Sequence, residues 1–159
     1  MTRSLLHPLY RFAYLVRRLD WKLRRPVTTG VCMLLVQDER VLLVWHTYRR
    51  GWFFPGGALK RGETLDQAAC REAAEEVGAT VARLELLGVY TAFDESATNH
   101  IAVFVSEDFT RIPREDVEIA RCEFFPLDAL PPESSFGIER RVADYLEYRR
   151  DRRARFGDW

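Results

Sequence analysis

The chain has 159 residues, 47% of them hydrophobic and 30% charged, a balance that excludes both a disordered chain and a bilayer-spanning one and sets a single domain able to bury its own core. Its 24 basic and 24 acidic residues cancel, yet residues 1–30 carry seven basic against one acidic, residues 139–159 seven against five, and the middle 10 against 18. A continuous basic footprint is absent, so nucleic acid is not an expected partner.

Leu5, Leu9, Phe12, Val16, Leu19 and Leu23 recur three or four residues apart, with Arg11, Arg17, Arg18 and Lys22 between them, which predicts an N-terminal amphipathic helix over residues 4–24. Residues 1–26 read as a basic helical arm and residues 27–159 as the domain. Charge breaks the apolar run well short of the ~20 residues that cross a bilayer. Three readings stay open: docking on the domain or on a second copy to make a homodimer, peripheral membrane contact on an anionic surface, or an organellar presequence. Pro26 ends the arm because it cannot continue the helical hydrogen-bond ladder.

Residues 27–36 predict a continuous apolar strand, and the polar turn Gln37-Asp38-Glu39-Arg40 leads to a hairpin partner over 41–45. Beyond a basic loop, Phe53 and Phe54 run into Pro55-Gly56-Gly57, where paired glycines mark a sharp turn or a close approach. An alanine-rich helix is expected over 65–77, with Thr64 at its start, Gly78 at its end and small side chains suited to lying close on a sheet. Strands follow over 81–90, 100–105 and 122–125. A terminal helix over 138–150 should turn Ile138, Val142, Tyr145 and Leu146 inward. The order implies an α/β fold, a mixed β-sheet covered by helices. Cys32, Cys70 and Cys122, odd in number and widely spaced, read as structural thiols of a reducing, cytoplasmic setting, and His7, His46 and His100 as structural or surface residues.

Glu72, Glu75 and Glu76 share an arc of roughly 100° on the expected helix. Like charges so placed oppose a helix by about 0.2–0.5 kcal/mol per pair. Taken alone they read as a solvated acidic face; the competing reading is convergence on a divalent cation, and oxygen donors without a histidine or thiolate pair suit Mg²⁺ or Mn²⁺ rather than zinc.

The longer stretch runs Gly57, five residues, Glu63, seven residues, then Arg71-Glu72-Ala73-Ala74-Glu75-Glu76-Val77-Gly78-Ala79. It resembles the Nudix box, GX5EX7REUXEEXGU with U a bulky aliphatic residue, and matches every fixed letter. Ala73 and Ala79 at the U positions depart from the pattern in packing rather than in chemistry. The flanks "LLVWHTYRRGWFFPGG" and "EIARCEFFPLDALPP" also resemble those of Nudix hydrolases, so the likeness spans about residues 27–150.

The resemblance implies a Nudix α/β/α sandwich with a mixed β-sheet and metal-dependent hydrolysis of a pyrophosphate bond in a nucleoside diphosphate linked to another moiety, such as an NTP, an NDP-sugar or ADP-ribose. It implies that Glu72, Glu75 and Glu76 hold Mg²⁺, or Mn²⁺ as a substitute, with the Gly56 carbonyl as a further ligand and Glu118, or else Glu123, as an outlying acid. By the same likeness Glu72 or Glu76, with Glu72 preferred, accepts the proton of the attacking water, and Arg71 and Glu63 fix the loop of the box against its helix. Metal neutralisation and positioning of water are what attack on a highly charged pyrophosphate requires.

Substrate contacts are expected from Arg49, Trp52, Phe53 and Lys60. Tyr48 and Phe93 are further aromatic candidates and Arg50 and Arg61 further cationic ones, base stacking being worth about 1–3 kcal/mol. The alternative is a Nudix-like nucleotide-binding or regulatory module without turnover, membrane-apposed through its arm; the intact Glu75 and Glu76 argue against it. An RNA-decapping role is disfavoured by the acidic middle of the chain. Deleting residues 1–25 tests the arm: a soluble, folded product places it outside the core, and an insoluble one shows that it completes the core.

Overall fold

The apolar run at residues 31–36 lacks polar alternation because the strand it forms, β1 (Val27–Gln37), is covered on both faces in the computed structural model, which describes residues 26–94, 97–113 and 117–159. Val31, Met33 and Leu35 meet Ala68, Ala69, Ala73 and Val77 of helix α1 (Leu65–Val77), while Cys32, Leu34 and Val36 meet Ile138, Val142, Tyr145 and Tyr148 of helix α2 (Ile138–Asp151). Alternation along one strand thereby generates two cores and a helix–sheet–helix stack.

Asp38 and Glu39 turn the chain with φ of 51° and 55°, and β1 pairs with β2 (Arg40–His46) only at Val36↔Val41 and Gln37↔Arg40 before the two diverge. β1 continues parallel to β6 (Ala97–Arg111), which pairs antiparallel with β5 (Ala79–Asp94); β8 (Arg155–Asp158) lies parallel beyond β5. On its other side β1 pairs with β4 (Gly56–Ala58), and β2 carries β3 (Trp52–Phe53) and β7 (Ile119–Pro126), all antiparallel. The sheet is mixed because β1 and β6 run parallel, which needs the long crossover through α1 and β5.

α1 begins at a capping box, the Thr64 hydroxyl accepting from the Gln67 amide while the Gln67 side chain accepts from the Thr64 amide. It ends where Gly78, at φ 68°, donates its amide to the Ala73 and Ala74 carbonyls. Its alanine face, with Ala68, Ala69 and Ala73 fully buried, brings the helix backbone close to β1 and β6.

Several sequence expectations change. β5 and β6 run well past 81–90 and 100–105, and register shifts between Val81 and Arg83, Arg83 and Glu85, and Leu86 and Gly88 break the two-residue period that would have revealed their length. The strands β3, β4 and β8 are too short or too glycine-rich to carry a period. Leu146 does not face inward: it is 37% exposed, while Tyr148 is 7% exposed, because the buried stripe of α2 runs through Ile138, Arg141, Val142, Tyr145 and Tyr148. The predicted N-terminal helix lies outside the described residues. Among those described, no helix is long and apolar enough to cross a membrane.

Overpacking should expose the closeness of α1 to the sheet. Ala73→Leu is expected to lower unfolding stability by about 1–3 kcal/mol, whereas Leu146→Ala should stay within roughly 0.5 kcal/mol, both read by urea denaturation.

Candidate active site

With its alanines on the sheet, α1 carries its glutamates along the flank that faces β4. The β4 backbone passes so close to β1 that a Cβ on Gly56 would lie 2.2 Å from the Val31 carbonyl oxygen and 2.6 Å from the Cys32 Cα. At Gly57 a Cβ would lie 2.4 Å from Glu72 Oε1. Gly56 is therefore required for this backbone to pass beside β1, while a side chain at Gly57 would displace the Glu72 carboxylate. The Gly56 amide donates to Glu76 Oε2 at 2.9 Å.

Arg71 gathers the surrounding acids. Its Nε and Nη2 donate to the two oxygens of Glu63 at 2.7 and 3.0 Å, and its Nη1 to Glu72 Oε1 at 2.7 Å and Glu75 Oε2 at 2.9 Å. A further Nη2 bond to the Ala58 carbonyl, at 3.2 Å, and the Lys60 amide's bond to Glu63 Oε2 tie the β4–α1 loop to the same point. The Arg71 hydrogen bonds, then the Lys60 amide, hold Glu63 down at about 2, and the Glu63 bonds push the Arg71 guanidinium up in turn. Burial alone would raise Glu75, but Arg71 and Lys60 outweigh it and hold its carboxyl below the usual range.

Glu76 behaves in the opposite way. Burial pushes its carboxyl up to about 8, and the like charges of Glu72 and Glu118 add to the rise, while the Gly56 amide and the Arg49 charge oppose it. Glu118, whose carbonyl accepts from the Thr47 amide at 2.8 Å, is therefore brought into the field of Glu76. Glu123 is not. It pairs with Leu43, which faces the α2 core, while its neighbour Cys122 packs in the α1 core, so Glu123 leaves the sheet on the wrong side.

Among the described residues no three Asp, Glu, His or Cys side chains already form a metal cage, and Glu75, 48% exposed, is turned aside to Arg71 and Lys60. The donor set still fits a hard divalent cation. Glu72, Glu76 and Glu118 offer oxygen only, and a carboxyl raised first by burial and then by its acidic neighbours is a group that a doubly charged ion would relieve.

The other wall comes from β2, whose Leu42 and Val44 face the α1 core. His46, next in that alternation and 2% exposed, lies 2.9 Å through Nε2 from Arg49 Nη2. Its ring packs against Tyr48 and Phe53 at centroid distances of 5.1 and 5.5 Å, and the Arg49 guanidinium lies 3.6 Å over the Phe53 ring. Phe53 therefore supports Arg49 on that face. Trp52 points the opposite way, buried in the α2 core against Trp45 and Phe125, and is not brought to the site. Lys60 is exposed beside Glu75, and Phe93 is 74% exposed at the far end of β5. Sequence reasoning set His46 aside as structural or surface; its three-residue spacing from Arg49, across the end of β2, was the signal to follow.

Residues 24–146 match the sequence profile of the NUDIX domain. The chain is 28% identical over 121 residues to the ADP-ribose pyrophosphatase of Methanocaldococcus jannaschii, covering 73% of this chain and 71% of that protein. It is 34% identical over 128 residues to the NAD-capped RNA hydrolase NudC of Pseudomonas aeruginosa, covering 76% of this chain and 42% of the other. The fold resembles the crystal structure of the MutT NUDIX hydrolase from Burkholderia pseudomallei with a TM-score of 0.69 at 26% identity, over 74% of this chain and 97% of that one.

Because the Glu76 carboxyl titrates higher folded than unfolded, it contributes stability below about pH 4.5 that is lost as pH rises toward about 8. Thermal unfolding in chelator should therefore fall across this range in the wild type and fall less in Glu76→Gln. Parallel curves would contradict the assignment. Gly56→Ala should unfold the β4 crossing outright, because its Cβ would overlap backbone rather than a movable side chain.

Proposed function

The chain belongs to the NUDIX family, and from that premise we propose that it hydrolyses a pyrophosphate bond in a nucleoside diphosphate linked to another moiety, with Mg²⁺ or Mn²⁺ held by Glu72, Glu75, Glu76, Glu118 and the Gly56 carbonyl. The observation that carries this reading is the Glu76 carboxylate, buried, held by the Gly56 amide and set in the field of Glu72 and Glu118. When bound, the divalent ion neutralises phosphate charge and acidifies the attacking water. Glu72, steadied by its bond from Arg71, takes the water's proton. Glu75, the most exposed of Glu72, Glu75 and Glu76, would exchange its Lys60 bridge for a place in the ligand set.

Arg71 and Glu63 do not touch substrate in this reading. Their paired bonds hold the β4–α1 loop so that the Gly56 carbonyl and the glutamates keep one geometry. Arg49 and Lys60 bind the phosphates that the metal does not neutralise, Arg49 from the sheet side and Lys60 from the loop. The free thiols Cys32, Cys70 and Cys122 fit a reducing cytoplasm. The ADP-ribose and NAD cap named for the two relatives head the substrate panel.

The test is nucleoside monophosphate release from ADP-ribose, dinucleotides, NDP-sugars and NTPs with Mg²⁺ or Mn²⁺. Metal-dependent turnover of one class, reduced at least about 10²-fold in Glu76→Gln and about 10–100-fold in Glu63→Gln, is the expected result. Binding of nucleotide without turnover of any of them would replace the hydrolase with a binding module.

A further inference from the structure

We propose that His46 is a positioning residue that, with the Phe53 ring, orients the Arg49 guanidinium toward the substrate's phosphates. The hydrolase reading supplies what Arg49 binds; how Arg49 is held stands on the geometry alone. An arginine side chain has large rotamer entropy, and a loop arginine left to itself spreads over many orientations. Here the guanidinium is defined at two places, one edge by His46 Nε2 at 2.9 Å and one face by Phe53 at 3.6 Å.

The chemistry of that edge contact is restrictive. A guanidinium only donates, so Nε2 must accept, and a ring that accepts there while neutral carries its proton on Nδ1. Burial, with the Arg49 charge second, pushes His46 down to about 3 and so keeps the ring in this neutral state. A protonated ring would offer no acceptor and would repel the arginine. Nδ1 itself is buried with no hydrogen-bond partner among the described residues. An unsatisfied buried donor is destabilising, a cost that a ring present only for packing could have avoided by being an apolar one.

The direction of Arg49 is equally informative. Its guanidinium lies over Phe53, which packs against the core beneath α1, so it sits on the carboxylate side of the sheet, and its charge accordingly lowers the Glu76 carboxyl against the effect of burial. Leu42 and Val44 face the core beneath α1, Phe53 packs at its margin, and the His46 ring, two residues after Val44, packs against Phe53. His46 therefore acts from below, through Arg49, and its effect should appear in substrate binding more than in the chemical step.

Two measurements test this on the full chain. Long-range ¹H–¹⁵N correlation of the imidazoles should show His46 neutral with its proton on Nδ1 throughout neutral pH, and should lose that tautomer preference in Arg49→Ala. A proton on Nε2 in the wild type overturns the contact, whatever the enzyme does. With the substrate found above, His46→Phe should raise KM about tenfold with kcat within about twofold, and His46→Gln, which returns an acceptor near Nε2, should recover most of the loss. In an Arg49→Ala background His46→Phe should add nothing. An equal loss in both backgrounds, or a fall in kcat at unchanged KM, would make His46 a packing residue only. A wild type without turnover fails the hydrolase reading instead, and the tautomer then decides the contact.

Discussion

The passage of the Gly56-Gly57 backbone between β1 and the glutamate flank of α1 is the constraint on which the rest of the molecule depends. A side chain at Gly56 would meet the Val31 and Cys32 backbone, and one at Gly57 would meet the Glu72 carboxylate. With no side chain at Gly56 the backbone passes close to β1, and the Gly56 amide reaches Glu76 at 2.9 Å. The alanine face of α1 serves the same end, since bulkier residues at positions 68, 69 and 73 would lift the helix and its glutamates away from β4. The alanine at the first of the two aliphatic positions of the motif is thus part of the site's geometry, although it touches no reacting group.

Charge is distributed across this geometry in two opposed ways. Around Arg71, three carboxylates share one guanidinium; the bonds hold Glu63 and Glu75 below the usual carboxylate range and lock the loop. Around Glu76, acids approach one another in a buried setting with only the Gly56 amide and the Arg49 charge in compensation. In the proposed hydrolase the first arrangement would supply rigidity and the second would be relieved by a cation. Neither would serve without the other, because a cluster of repelling acids on an unpinned loop would separate.

The two faces of β2 and β3 separate structure from chemistry. Phe53 faces the α1 side with His46 and Arg49, while Trp52, adjacent in the chain, packs with Trp45 and Phe125 in the α2 core. Both aromatics look alike as candidates for stacking a base, and strand alternation alone distributes them to opposite sides. The same rule separates Glu123 from the site.

The sequence by itself determined the elements whose signals are local. The capping box at Thr64, the Gly78 cap, the apolar run of β1 and the spacing of Glu63, Arg71, Glu72, Glu75 and Glu76 all act within a turn or two of chain, so their periods and caps could be read directly. The family's chemistry was legible for the same reason. Tertiary structure decided whatever depends on the meeting of distant strands: the parallel pairing of β1 with β6, the bulged lengths of β5 and β6, the side of the sheet on which Trp52 and Glu123 emerge, and the arrival of Glu118 in the electrostatic field of Glu76. Register and face are set by pairing partners dozens of residues apart, and a one-residue change of register moves a side chain to the opposite core. His46 shows the difference most plainly: a solitary histidine in the sequence, it becomes the partner of Arg49 only where the end of β2, the loop after it and Phe53 fold onto one face.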